Sequence, residues 1–91
     1  MANRQISVVM DLPGDHPYHR ATIAALGHAA NQLSARVEIN VVRTDDTRSP
    51  REFVRESAAI VIGPGSPFAN PSAAIECVRV AREAGIPLVG T

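Results

Sequence analysis

Residues 60–67, IVIGPGSP, carry an apolar run straight into a loop of glycine and proline. A helical stretch follows, and then residues 85–91, GIPLVGT, add a second apolar run. Strand, loop, helix and strand in this order predict one βαβ unit. The loop comes just after the carboxyl end of a strand, which is where open α/β sheets place their active sites.

Two further strands are predicted upstream. Residues 6–10 form a short apolar run, and we expect a first strand there. Val37, Ile39 and Val41 alternate with polar residues, which predicts a second strand with one wetter face, close to an edge of the sheet. Residues 58–62 lack any alternation, as expected of a central strand that helices cover on both faces.

Helices are predicted between the strands. Pro17 fits the first turn of a helix capped by Asp15 or His16, and Phe53 and Val54 indicate a short helix. A last helix begins at Asn70 and Pro71, and Gly85 can take its left-handed stop position. Apolar spacing predicts the residues that face the sheet: Ile23, Leu26, Ala30 and Leu33 in the first helix, and Ile75, Val78, Ala81 and the stem of Arg82 in the last.

The alternation β-α-β-α-β-α-β predicts a parallel sheet with right-handed crossovers. Its last strand, around Leu88 and Val89, is apolar on both faces and would leave an unpaired edge, which natural proteins normally avoid. We therefore expect another segment or chain to cover this edge.

Composition sets the class of protein. The chain has 91 residues, 45% of them hydrophobic and 20% charged, which suits one small globular domain. Nine basic and nine acidic residues balance, so neither nucleic acid nor an anionic membrane is indicated as a partner. The single cysteine cannot form an internal disulfide, there is no signal segment, and no apolar run approaches the roughly 20 residues that span a bilayer. We expect a reducing, cytoplasmic compartment.

The loop at residues 63–67 and the downstream GIPLVGT resemble class I glutamine amidotransferases, and most of all the amidotransferase domain of CTP synthase. Residues 11–18, DLPGDHPY, and the following IAAL at 23–26 are similar to the segment and helix that open that domain. The loop departs from the Pro-Gly-Gly-Phe usual in CTP synthases, and its Gly-Pro-Gly-Ser-Pro is closer to the loops of anthranilate synthase and carbamoyl phosphate synthetase.

The resemblance implies a flavodoxin-like three-layer sandwich with strand order 2-1-3-4, of which residues 1–91 are the N-terminal βαβαβαβ half. The nucleophilic cysteine would come directly after Thr91, and the other triad residues further on, so these 91 residues alone should not hydrolyse glutamine. Met1 lies only a few residues before the first strand, so we expect a standalone amidotransferase without a synthetase domain, and CTP synthesis is not expected. The implied reaction is hydrolysis of the glutamine side-chain amide through a cysteinyl thioester, with ammonia passed to an unknown acceptor and no cofactor.

Hydrolysis of an amide passes through a tetrahedral oxyanion, which aimed backbone N–H groups stabilise by about 3 to 4 kcal/mol each. In the implied site Gly65 is the first choice of donor, with Gly63 and Ser66 as neighbours, because proline has no N–H. Pro64, Pro67 and Phe68 are the implied substrate-binding residues. The implied partners are glutamine and either the remainder of the domain or a second chain, so that a homo-oligomer is possible.

Simpler interpretations stand beside these. A Gly-Pro-Gly turn after a strand is often only a tight connection, and the alternative function is a non-catalytic binding or interaction module with an amidotransferase-like fold. Cys77 lies in mid-helix and is interpreted as a structural or surface thiol. The group Asp11, Asp15, His16 and His19 matches no established metal spacing, and helix capping and a solvated His19 explain it more simply. The loop also lacks the lysine of a phosphate-binding loop and the third glycine of a dinucleotide site.

Overall fold

Strands and helices alternate along the whole chain. The computed structural model describes residues 5–34, 36–46, 49–64 and 68–90. In chain order the elements are β1 (Gln5–Val9), α1 (Pro17–Gln32), β2 (Glu38–Val42), α2 (Pro50–Arg55), β3 (Ala59–Ile62), α3 (Pro71–Ala84) and β4 (Leu88–Gly90).

The four strands form one parallel sheet in the order β2-β1-β3-β4, which confirms the predicted order and the central place of β3. In the register of the sheet, Val9 of β1 lies beside Val42 of β2 and Ile62 of β3, and Ile62 lies beside Gly90 of β4. All four strands therefore end at one edge, from which the loops to the helices depart.

Local sequence explains where the helices begin and end. Each helix has a proline in its first turn, where the missing N–H costs nothing. The residue before that proline is the cap in every case: His16, Ser49 and Asn70 each accept a backbone N–H with the side chain. Of the two candidates for the first cap, His16 is the one observed. Gly85 ends α3 with φ of 71°, a left-handed conformation that glycine adopts without strain.

The main core lies between one face of the sheet and the helices α2 and α3. Its buried members are Val9, Val42, Phe53, Val54, Ile60, Cys77, Val80 and Ala81. Two buried hydroxyl groups satisfy each other at this face: Ser57 Oγ donates to the carbonyl oxygen of Phe53 and accepts from Ser7 Oγ. No buried side-chain polar atom of the described residues is left without a partner, as native cores require.

Helix α1 packs on the opposite face and completes three layers. Neighbouring valines make one row across this face, from β2 to β4: Val41, Val8, Val61 and Val89. Val8 is fully buried under α1, whereas Val41 and Val89 at the ends of the row are 39% and 60% exposed. One helix is too narrow for four strands, so the prediction that helices cover β3 on both faces is only partly right. None of the α1 residues is buried.

The predicted sheet-facing residues of the two long helices need correction. Leu33 is the exposed C-cap of α1. In α3 the predicted Ile75 is 62% exposed, and Val78 and Arg82 are exposed as well. The buried side of α3 consists of Ala74, Cys77, Val80 and Ala81. Small side chains on this side let the helix lie close to α2 and the sheet, and the larger Ile75 and Val78 are left on its flank.

None of the helices in the described ranges combines the length and the apolar character needed to cross a bilayer.

Candidate functional site at the carboxyl edge of the sheet

The loop after β3 begins at the centre of the carboxyl edge. Gly63 continues the ladder beyond β3, since its N–H donates to the carbonyl oxygen of Val9 at 2.9 Å. Because Ile62 pairs with Gly90, the loop also begins beside the end of β4. Thr91 lies outside the described residues, so its predicted distance of about 10 Å from the loop stays a prediction, based on the spacing of adjacent strands.

The N–H of Gly63 donates to the carbonyl oxygen of Val9 in the sheet, and the role expected of Gly63 as a neighbour of the oxyanion donor stays a prediction. Gly65, Ser66 and Pro67 lie outside the described residues, and their roles as oxyanion donors and substrate contacts stay predictions. Pro64 and Phe68 are described, and both are half-buried at the two ends of the loop.

Glycine is required at position 63 for a steric reason. A Cβ atom there would lie 2.9 Å from Sδ, 3.2 Å from Cβ and 3.3 Å from Cγ of Met10. Met10 is fully buried, and contact with its Cβ cannot be relieved by turning the end of the side chain. The first glycine of the loop therefore allows the start of the loop to lie tightly against β1.

We expect Gly63→Ala to lower the free energy of unfolding by about 1 to 3 kcal/mol, the usual cost of overpacking a core. Gly90→Ala is the matched control, because Gly90 ends the neighbouring strand and an added Cβ would meet nothing within 4 Å. Urea denaturation of both variants makes the comparison. An equal, small loss for the two would show that position 63 has room for a side chain.

The Asp11 carboxylate connects three segments at this edge. Its Oδ1 accepts the Thr44 N–H at 2.7 Å, and its Oδ2 accepts the Thr44 hydroxyl at 2.6 Å and the Ala69 N–H at 2.8 Å. Thr44 Oγ1 in turn accepts the Asn70 N–H at 2.9 Å. The residues after β1 and β2 are thus joined to the residues that lead into α3.

Electrostatics favour the ionised form of this carboxylate. Burial acts to raise the pKa of Asp11, but the hydrogen bonds from Thr44 and Ala69 and the nearby Arg43 guanidinium outweigh it, so that the pKa lies below its ordinary value of 3.8. Arg43 also donates to the main-chain oxygen of Asp11 at 2.8 Å and pairs with Asp45. A carboxylate that favours the ionised form and already accepts three hydrogen bonds suits a structural role as an acceptor.

The link between Asp11 and Thr44 was not predicted from the sequence. The signal was available in the strand register: Val9 lies beside Val42, so the residues two positions further on come together at the carboxyl edge. Asp11 and Thr44 are those residues, one a carboxylate and the other a hydroxyl.

The polar residues after β1 serve the backbone. The Tyr18 N–H donates to His16 Nδ1 at 3.1 Å in the helix cap. His19, expected to be solvated, is half-buried instead, and its Nδ1 lies 2.9 Å from the carbonyl oxygen of Leu12. Among the residues that the structure describes, no group of three histidine, cysteine or acidic side chains is arranged to hold a metal ion.

An open apolar cleft of about 580 Å³ separates α1 from β3 and β4. Its lining comprises Tyr18, Ala21, Thr22, Ala25, Leu26, Val61, Pro64 and Val89. Pro64 thus lies in the apolar lining of this cleft. Thr22 is one of the few polar residues in the lining, and its hydroxyl donates to the Tyr18 carbonyl oxygen. The cleft has the character of a packing surface, since none of the described residues that line it carries a charge to hold a free amino acid.

Cys77 is the structural thiol that its mid-helix position predicts. It is 1% exposed, on the side of α3 that packs in the core. Burial, and secondarily the Glu76 carboxylate, raise the pKa of the Cys77 thiol to about 11. Such a thiol stays protonated near neutral pH and is a poor nucleophile.

No family model matches the chain, and neither the curated proteins nor the solved structures give a significant match. The resemblance to amidotransferases therefore rests on the sequence motifs alone.

Proposed function

We propose that the protein is a CTP synthase-like class I glutamine amidotransferase that hydrolyses the glutamine side-chain amide and supplies ammonia to an acceptor. One observation carries this proposal: β3 and β4 are adjacent and parallel, and Ile62 pairs with Gly90 at their common end. A loop after β3 and a nucleophile after β4 would then lie side by side, as attack on one carbonyl group requires.

The chemistry divides between these two strand ends. In the first step the thiolate of the cysteine after Thr91 attacks the amide carbon of glutamine, and the N–H of Gly65 stabilises the oxyanion. The C–N bond then breaks, a proton passes to the leaving nitrogen, and ammonia departs from the thioester. Water next adds to the thioester, the C–S bond breaks, and glutamate is released with the thiol restored.

The open surfaces support the proposed partners. Val89 of β4 is 60% exposed, and the apolar cleft between α1 and β4 lies on the same face. Exposed apolar surface of this kind marks an interaction site. We assign it to the remainder of the amidotransferase domain or to a second chain, including a second copy in a homo-oligomer. A reducing cytoplasmic compartment suits this chemistry, since the thiolate must stay unoxidised.

Glutamate release tests the proposal, measured on purified protein that continues past Thr91 and includes the proposed nucleophilic cysteine. We expect glutamate and ammonia to form in equal amounts from glutamine. Asparagine is the control substrate, because its shorter side chain places the amide carbon away from the nucleophile. A protein that binds glutamine but leaves it intact would contradict the proposed reaction and favour the non-catalytic binding module.

A further inference from the structure

We propose that Asp11 is the positioning residue of the loop between β3 and α3, and that it acts together with Thr44 as a clamp on the carboxyl-terminal end of that loop. The catalytic meaning of the clamp rests on the proposed function, in which this loop supplies the oxyanion donor. The clamp itself is a feature of the fold and is tested without any reaction.

The two ends of the loop are held by different means. At its start, the Gly63 N–H donates to the carbonyl oxygen of Val9, so the sheet itself fixes this end. At its end, Ala69 and Asn70 lie beyond the reach of the ladder. Their N–H groups donate instead to Asp11 Oδ2 and to Thr44 Oγ1, at 2.8 and 2.9 Å. The start of the loop is therefore tied to β1, and its end is tied to Asp11 after β1 and to Thr44 after β2.

A carboxylate suits this position because it is a pure acceptor. Asp11 takes three hydrogen bonds on its two oxygens, two from Thr44 and one from Ala69. An asparagine would replace one oxygen with an NH₂ group that donates and does not accept. The donors on one of the two oxygens of Asp11 would then lose their acceptor, and the oxygen that remains would be neutral. Hydrogen bonds to a charged acceptor are also stronger than those to a neutral one.

The Thr44 hydroxyl is the second part of the clamp. Thr44 is 3% exposed, and its hydroxyl donates to Asp11 Oδ2 and accepts from the Asn70 N–H. Removing this hydroxyl breaks the link to Asn70 while the Asp11 contact with Ala69 remains. The two amides of the loop therefore report on the two parts of the clamp separately.

The test is amide hydrogen exchange, followed by NMR, in the purified protein. In Asp11→Asn we expect the Ala69 amide to exchange about tenfold faster or more, because its acceptor is either lost or no longer charged. In Thr44→Val the Asn70 amide should be the one that exchanges faster, and Thr44→Ser, which keeps the hydroxyl, should restore its protection. Asp15→Asn is the control for charge, because Asp15 is an exposed carboxylate in the same loop as Asp11.

Acid titration adds a readout that general loss of stability would not produce. The pKa of Asp11 is lowered in the folded protein, so the clamp is complete above the ordinary value of 3.8 and is lost as the pH falls through the lowered pKa. The charged groups beside it are Arg43 and the Asp45 carboxylate paired with Arg43. The Ala69 amide resonance should shift with this transition in the parent and in Asp15→Asn, but not in Asp11→Asn.

Wild-type exchange rates for Ala69 in Asp11→Asn and for Asn70 in Thr44→Val would overturn the clamp. If Asp11→Asn does not fold, Thr44→Val and its serine counterpart still decide the question. Faster exchange at Ala69 and Asn70 in these variants of a protein that does not hydrolyse glutamine would refute the proposed function but support the clamp. With both correct, Asp11→Asn lowers kcat for glutamine more than it changes KM, because the loop acts on the transition state.

Discussion

If the protein is the proposed amidotransferase, we expect replacement of Gly65 by proline to lower glutamine turnover by about a hundredfold or more, because it removes one N–H from the proposed oxyanion site. The measurement is glutamate release by the cysteine-containing protein, on folded samples of matched stability. The prediction singles out Gly65 because the other candidate glycine, Gly63, uses its N–H in the sheet.

Alanine at position 65 is the control, since proline restricts the loop as well as removing the donor. Alanine keeps the N–H and should reduce turnover far less wherever φ is negative. A proline variant as active as the parent would show that Gly65 is only a turn residue, and the oxyanion assignment would then be wrong.

Ile60→Ala lowers the free energy of unfolding by about 2 to 5 kcal/mol, the range for truncating a large aliphatic side chain in a core. Ile60 is 1% exposed and belongs to the cluster between the sheet and the helices α2 and α3. Urea denaturation should show a lower midpoint with an unchanged slope.

Ile75→Ala is the matched control, with the same substitution on the flank of α3. Ile75 is 62% exposed, so we expect a change within about 0.5 kcal/mol. This pair also tests the corrected face of α3, because apolar spacing alone placed Ile75 against the sheet. A loss at Ile75 as large as that at Ile60 would restore the original prediction.

The topology was predictable because the strands have clear apolar patterns and because general rules relate such patterns to a strand's place in a parallel sheet. The unalternating residues 58–62 predicted a central strand, and the strict alternation from Val37 to Val41 predicted an edge. The sheet confirms both, with β3 inside and β2 outside. Prolines and polar caps also predicted the starts of α1 and α3, since those signals act within one turn.

Helix faces were less predictable because side-chain size and position compete. In α3 the pattern of large apolar residues selected Ile75 and Val78, whereas the structure buries Ala74 and Cys77. Close approach of the helix to its neighbours favours small residues at the contact. A pattern of hydrophobicity does not take side-chain size into account.

The site was only partly predictable because its contacts join residues far apart in the chain. Thr44 and Ala69 meet Asp11 from 33 and 58 positions away. Finding that cluster requires the strand order and the register together. The steric constraint at Gly63 likewise depends on Met10, which directly follows β1, so the sequence around Gly63 could only suggest a turn.

Covalent trapping by a glutamine analogue that carries a diazoketone in place of the amide would identify the proposed nucleophile. After incubation at neutral pH with a protein that continues past Thr91, we expect peptide mapping to find the label on the cysteine proposed to follow Thr91, with turnover lost in proportion. Cys77 should stay unmodified, because it is buried and its thiol pKa is raised to about 11. Label on Cys77 that abolishes turnover, with none after Thr91, would contradict the account.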